Sequence, residues 1–120
     1  MIKKENVIKK HKELVILFGG SFAIINKGNL DFAVADYNSY RTNPMTRSLK
    51  VYYNLLVGHS FSDGNKRVAI YFLNKTLKDN GYKISLSDEK LAEITNKLSS
   101  IPSLGFTHVS NKLRKFIIKY

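Results

Sequence analysis

The chain of 120 residues contains no cysteine. This absence excludes disulfides and metal sites built from thiolates, and a reducing compartment is the natural setting for such a protein. Long apolar runs are missing too. The longest one in the N-terminal region covers residues 14–18, far short of the roughly 20 residues of a membrane span and too short for a signal-peptide core. We therefore expect a cytoplasmic protein that does not enter a membrane.

Acidic residues are few: nine Asp and Glu are outnumbered by twenty Lys and Arg, and the formal net charge is +11. Such an excess attracts nucleic acid, nucleotides or acidic proteins, but it also describes a solvated Lys-rich surface without any partner. No stretch has the Arg-rich, aromatic-interleaved character of a nucleic-acid groove, so we do not expect direct nucleic-acid binding. Charge alone selects no function.

The length and an ordinary composition, 43% hydrophobic and 24% charged, predict one domain over residues 1–120. Apolar residues at helical spacing predict an all-α fold of about six helices. The predicted helices cover residues 1–18, 32–40, 44–57, about 64–80, 87–99 and 110–119.

Several polar residues mark where these helices begin. Asn43 is the expected cap of the third helix, with Pro44 in its first position, and Ser110 is the expected cap of the last. Residues 20–30 differ from the helical pattern, because Phe22 and two isoleucines precede a turn at residues 26–29. They predict a short strand or hairpin arm, after which Asp31 caps the second helix.

A polar, glycine-containing loop at residues 58–67 joins two apolar helices, and functional groups often lie in such connections. His59 carries an imidazole suited to proton abstraction near neutral pH. Phe61 can anchor the loop in the core while His59 points outward. Asp63 offers the hard oxygen ligand that Mg²⁺ prefers when it also binds phosphates. The other histidines, His11 and His108, lie in unremarkable segments and should be dispensable.

The end of this loop has the features of an anion site. Gly64 and Asn65 begin a helix, and the free N–H groups and dipole of a helix N-terminus favour a phosphate. Lys66 and Arg67 add two cationic side chains at that terminus. Taken singly, His59 would be a capping or surface residue, and the Lys-Arg pair a solvated face. Only their combination indicates phosphoryl or nucleotidyl transfer.

The segment His59-Ser60-Phe61-Ser62-Asp63-Gly64-Asn65-Lys66-Arg67 resembles the Fic motif, H-x-F-x-D/E-G-N-G-R-x-x-R. It is closer to the Doc (death-on-curing) variant, in which Lys replaces the second glycine of G-N-G. Residues 78–81 look like the end of the long motif helix of Doc proteins, and the Gly19-Gly20 turn also agrees. The sequence is thus identified as a member of the Fic/Doc family, closest to the Doc branch. The resemblance implies the Fic fold, a helical bundle with a small β-hairpin flap at 20–30.

The resemblance also implies a role for each motif residue. His59 would be the general base, Asp63 would orient the target hydroxyl or hold Mg²⁺, and the flap would align the target segment. The implied catalytic residues are His59, Asp63, Lys66 and Arg67. The implied nucleotide-binding residues are Gly64, Asn65, Lys66 and Arg67, with the backbone of residues 64–66 forming an anion hole for ATP phosphates.

Two positions depart from the Fic motif. Ile70 occupies the place of its second Arg, and Val57 precedes Gly58 where some Doc proteins have polar or basic residues near the nucleotide. The resemblance, with Lys66 in the anion hole, implies a Doc-like kinase that phosphorylates a protein hydroxyl, typically a threonine of translation elongation factor Tu. Two alternatives remain: a Fic-type AMP or nucleotidyl transferase, and a catalytically idle Fic-fold binding protein.

The intramolecular brake of many Fic proteins, an S/T-x-x-x-E-G/N helix, has no match here. Ser85 and Glu89 have the right spacing, but Lys90 follows where Gly or Asn is required. Glu5-Asn6 supplies the right pair, but Met1 is found where Ser or Thr is needed. The resemblance therefore implies a toxin of a toxin–antitoxin pair, inhibited by a small Phd-like antitoxin whose acidic segment binds this basic chain.

Overall fold

The computed structural model describes all residues, 1–120, and confirms the predicted helical fold with six α-helices. The helices are α1 (Lys4–Phe18), α2 (Lys27–Asn38), α3 (Pro44–Val57), α4 (Asn65–Asp79), α5 (Asp88–Ser99) and α6 (Phe106–Leu113). A 3₁₀ turn, Arg114–Phe116, follows α6. Two short strands, β1 (Tyr82–Ile84) and β2 (Ile117–Lys119), form an antiparallel sheet. None of the helices combines the length and the apolar character that crossing a membrane requires.

Helix α3 occupies the middle of the molecule and packs on α4 and α2. It begins as predicted, because the Asn43 side chain accepts a hydrogen bond from the Thr46 N–H at 2.8 Å and Pro44 occupies the first turn. Its residues Leu49, Tyr52 and Leu55 are fully buried. They belong to a cluster of 23 buried hydrophobic residues that connects all six helices. This core fixes the ends of α3 and α4, between which the motif loop lies.

The second helix begins earlier than predicted. Asn26, not Asp31, is its cap: the Asn26 side chain accepts a hydrogen bond from the Asn29 N–H at 3.0 Å. Asp31 lies inside α2 and pairs with Lys4 at 3.2 Å. The polar residues 26–29 predict a turn, but a turn and a helix N-cap use the same side chains. Of the predicted hairpin arm at residues 20–30, residues 27–30 therefore lie in α2, and residues 21–26 precede that helix.

The sheet occupies a different place from the predicted flap. The last helix was expected to run from Ser110 to about residue 119, but α6 begins at Phe106 and ends at Leu113. Residues after the 3₁₀ turn alternate, with Ile117 buried and Ile118 exposed, and Ile117 pairs with Ile84. The β-branched residues thus complete a sheet beyond the C-terminal end of α4. The motif loop precedes the other end of that helix.

Candidate active site

The motif loop, residues 58–64, leaves α3 at Gly58 and enters α4 at Gly64. Two of its residues have left-handed backbones: His59 has φ +47° and Gly64 has φ +79°. Phe61 is 1% exposed and belongs to the core, whereas His59 is exposed. The predicted arrangement, with Phe61 as the anchor and His59 pointing outward, is confirmed. A positive φ is uncommon outside glycine, so the surrounding contacts must hold His59 in place.

Residues 21–26 run antiparallel to the motif loop and bind it through the backbone. The N–H groups of Ile25 and Asn26 both donate to the Ser60 carbonyl, at 2.8 and 3.2 Å, and the Ser62 N–H donates to the Ala23 carbonyl at 2.9 Å. Ile24 and Phe61 form an isolated bridge. In this structure the segment predicted to pair with a target thus pairs with the loop that carries His59.

The Gly19-Gly20 turn places a backbone donor on Asp63. The Ser21 N–H donates to Asp63 Oδ2 at 2.9 Å. A Cβ added at Gly20 would lie 3.2 Å from the Asp63 Cβ, and Gly20 has φ +111°. The turn can approach Asp63 this closely because Gly20 has no side chain. One carboxylate oxygen of Asp63 is thereby fixed by the turn, and no other hydrogen bond holds its side chain.

Two asparagine side chains bind the backbone of the motif loop. Asn65 accepts a hydrogen bond from the Phe61 N–H at 3.2 Å and donates to the Phe61 carbonyl at 2.8 Å. Asn29, from α2, donates to the Gly58 carbonyl at 2.7 Å. The Asn65 amide therefore supports the loop, and its implied contact with nucleotide phosphates stays a prediction.

The N-terminus of α4 has no side-chain cap, because its cap residue is Gly64. The first N–H groups of an α-helix have no partner within the helix, so those of residues 65–67 are available to an anion. Lys66 and Arg67 are exposed at this end, and neither forms a salt bridge. The Arg67 guanidinium lies 4.8 Å from the centre of the Phe18 ring. The site is thus electropositive through both its backbone and its side chains.

A cavity of about 870 Å³ opens in front of this helix end. Its size suits a nucleotide-sized ligand, since ligand pockets span roughly 300–1,000 Å³. Helices α3, α4 and α5 and residues 101–104 form its walls. All six predicted site residues line it: His59, Asp63, Gly64, Asn65, Lys66 and Arg67. The structure therefore brings together the complete set that the sequence singled out.

A family model, described as the Fic/DOC family, matches residues 2–77, which is more than half of the chain. The chain belongs to the Fic/DOC family. A search of curated proteins found no match. Membership implies a protein-modifying transferase that uses a nucleotide substrate. The match ends within α4, so α5 and residues 101–104, which form the far wall of the cavity, lie beyond the matched Fic/DOC region.

The far wall of this Fic/DOC cavity is tied to α3 by a buried hydrogen bond. Tyr52 in α3 and Thr95 in α5 lie with their hydroxyl oxygens 2.7 Å apart. Burial raises the pKa of Tyr52 to about 12, so this hydroxyl stays protonated at physiological pH. Tyr53 donates to the Leu104 carbonyl at 2.9 Å and fixes the rim. These contacts tie the far wall and its rim to α3.

His11 is a site residue that the sequence analysis missed. The expectation of unremarkable surroundings is wrong: His11 is fully buried, and its Nε2 lies 2.6 Å from the Asp63 carbonyl oxygen. Its ring stacks on Phe61 with the ring centres 3.6 Å apart and the planes 8° apart. Its position on α1, four residues after the buried Val7, was the available signal. His108 is exposed on α6.

Proposed function

We propose that this Fic/DOC protein is a Doc-type kinase, which transfers the γ-phosphoryl group of ATP to a hydroxyl of a target protein. The observation that carries the proposal is the uncapped N-terminus of α4, where Lys66 and Arg67 open onto the cavity beside His59 and Asp63. A base, a hard oxygen ligand and a cationic phosphate site at one cavity are the parts that phosphoryl transfer requires.

The proposed reaction is a direct displacement at phosphorus. The target hydroxyl oxygen forms a bond to the γ-phosphorus, the bond from that phosphorus to the bridging oxygen breaks, and ADP leaves with the bonding electrons. A ring nitrogen of His59 takes the hydroxyl proton. The nitrogen is free to accept it because the exposed side chain has no hydrogen-bond partner in the chain. Lys66, Arg67 and the N–H groups at the start of α4 stabilise the negative charge on the phosphoryl oxygens.

The residues present fit a Mg²⁺ ion that arrives with the nucleotide. No group of three or more acidic, histidine or cysteine side chains could form a complete protein cage. Asp63 offers a carboxylate oxygen at the cavity, since only Oδ2 is engaged by Ser21. Mg²⁺ is commonly held by one or two carboxylates together with substrate phosphates, and when bound it neutralises phosphate charge. Asp63 is thus the residue that would hold it.

Nucleotidyl transfer is the alternative reaction of the same site. Ile70, one helical turn after Lys66, lines the cavity with an apolar side chain where the Fic motif has its second Arg. The cavity wall therefore has no cation at position 70, whereas Lys66 adds one in the first turn of α4. This distribution favours placing the γ-phosphate, rather than the α-phosphate, at the anion hole.

The deciding experiment uses ATP labelled on either the α- or the γ-phosphorus, with elongation factor Tu as the first target and mass spectrometry of the product. A γ-label on a threonine, with a phosphate mass increment, is the expected result. An α-label with an AMP increment would replace the kinase with a nucleotidyl transferase. Retention of both labels in free nucleotide, with this and other translation factors, would favour the idle binding protein.

We also propose that the protein is a toxin inhibited in trans by a small acidic antitoxin. Glu89, the nearest candidate for an internal brake, does not line the cavity and lies in the first turn of α5. Four exposed apolar residues, here called the apolar patch, lie on segments next to the site: Ile16, Leu17 and Phe18 at the end of α1, and Ile25 in the segment that pairs with the motif loop, each at least 60% exposed. An acidic partner segment with apolar residues would complement both this patch and the Arg67 cation, which has no acidic partner in the chain.

Expression tests this role. The chain alone should arrest growth, His59→Ala should be harmless, and co-expression of the neighbouring gene should restore growth. Binding of that gene's product should weaken as salt rises, because screening reduces attraction between opposite charges. Harmless high-level expression of the active wild-type chain would contradict the toxin role while leaving the kinase proposal intact.

A further inference from the structure

We propose that His11 is a positioning residue that aims the N–H of Gly64 into the cavity, where it donates to a phosphate oxygen. The inference rests on the proposed function for the identity of the anion, and on the geometry of α1 and the motif loop for the direction of the donor. It adds a residue from outside the motif to the anion hole.

The single hydrogen bond of the His11 ring fixes which atom carries the proton. Nε2 lies 2.6 Å from the Asp63 carbonyl oxygen. A carbonyl oxygen can only accept, so Nε2 must be the donor. Nδ1 is buried and has no hydrogen-bond partner. The fully buried ring, stacked on Phe61, therefore directs its only hydrogen bond at the peptide that joins Asp63 to Gly64.

The direction of that peptide follows from its planarity. No peptide bond in the chain is cis, and in a trans peptide the C=O and N–H point in opposite directions. The Asp63 carbonyl points toward α1, so the Gly64 N–H points away from α1. No residue of α1 lines the cavity, whereas Gly64 does. The Gly64 N–H also makes no hydrogen bond within the chain.

The His11 N–H selects this orientation over its reverse. A flipped peptide would turn the Gly64 N–H toward Nε2, which could accept it only in the tautomer that places a proton on the buried Nδ1, where no acceptor is available. Gly64 also lets the peptide lie close to the His11 ring, because an added Cβ would lie 3.2 Å from Nε2 and Gly64 has φ +79°. His11 thus orients the Gly64 donor of the implied anion hole, next to the free N–H groups of residues 65–67.

The test follows one amide. Asp63-Gly64 is the only Asp-Gly pair in the sequence, so labelling Asp carbonyls with ¹³C and Gly amides with ¹⁵N gives one signal for this peptide. Titration with inorganic pyrophosphate should shift that signal in the wild-type protein. In His11→Phe, which keeps the ring stack but not the donor, the shift should disappear and pyrophosphate should bind about tenfold more weakly.

Two further variants separate the hydrogen bond from packing. His11→Gln carries an amide N–H that reaches as far as Nε2 and should retain the shift. His11→Asn carries the same amide one methylene shorter and should lose it, so this pair decides the question even where His11→Phe fails to fold. His108→Phe, on exposed α6, is the control for removal of a histidine and should behave as wild type.

A wild-type response to pyrophosphate in both His11→Phe and His11→Asn would overturn the inference. A wild-type protein that transfers phosphate while its Asp63-Gly64 signal ignores pyrophosphate would also overturn it and leave the proposed function standing. The converse result, a pyrophosphate shift that depends on His11 in a protein that modifies no target, would support the positioning role and count against the proposed kinase reaction.

Discussion

The two ends of α4 contrast sharply. At the C-terminal end, Asn80 donates to the Thr76 carbonyl at 2.8 Å and to the Tyr37 hydroxyl at 3.1 Å, and the Tyr120 N–H donates to the Gly81 carbonyl. At the N-terminal end, no side chain caps the helix and Lys66 and Arg67 have no acidic partner. One end uses its polar groups for stability, and the other leaves them available to a ligand.

The contrast extends to the residues around each end. His11, Asn29, Asn65 and the backbone of residues 21–26 hold the motif loop from the protein side, so the loop keeps a left-handed backbone at His59. Apart from the Ser21 N–H, which donates to the Asp63 carboxylate, their hydrogen bonds reach the loop backbone, and none binds the His59 side chain. Rigid support beneath exposed, unpaired groups is what a preorganised transferase site requires.

Loss of His59 should have the largest effect at the open end. His59→Ala removes the proposed base, and target modification should fall by about 10²–10⁴-fold. The side chain is exposed and makes no hydrogen bond, so Tm should stay within about 1–2 °C of wild type. Quantitative transfer assays with γ-labelled ATP measure the first effect and thermal unfolding the second. Wild-type turnover in this variant would remove His59 from the mechanism.

The two lysines near the ends of α4 offer a matched comparison. Lys66→Gly should lower γ-phosphate transfer by about 10–100-fold, because a charged contact with the phosphates is lost. Lys78→Gly, in the last turn, should leave transfer unchanged. Each substitution weakens the helix by at most about 1 kcal/mol. We also expect weak AMP transfer from Lys66→Gly, kept low by Ile70. Equal transfer rates in the two variants would show that Lys66 does not select the phosphate.

The apolar patch beside the site should matter for the partner but not for folding. Leu17→Ser changes a side chain that is 73% exposed, and we expect about tenfold weaker binding of the antitoxin with little change in Tm. Phe32→Ser, on α2 and 59% exposed, is the control. Similar losses of affinity in both variants would indicate that the partner binds elsewhere.

The sequence predicted the parts of this molecule that depend on neighbours in the chain. Asn43 with Pro44, the anchor Phe61 and the motif loop are local signals, and each was found where expected. The end of α6 was missed because β2 forms only where β1, far away in the chain, supplies hydrogen bonds. His11 was missed for the same reason, since the carbonyl that it binds is 52 residues away.

The smallest predicted effect lies at the closed end. Asn80→Ala removes hydrogen bonds to the Thr76 carbonyl and the Tyr37 hydroxyl. We expect a loss of about 1 kcal/mol in the free energy of unfolding, or roughly 4 °C in Tm, because Asn80 itself is only partly buried. Transfer activity below Tm should be unchanged. Asn65→Ala is the counterpart at the open end: it removes the two bonds to Phe61 and should lower both stability and transfer. If Asn80→Ala reduced transfer as much as Asn65→Ala does, the C-terminal end of α4 would serve activity as well as stability, and the contrast between the two ends would be wrong.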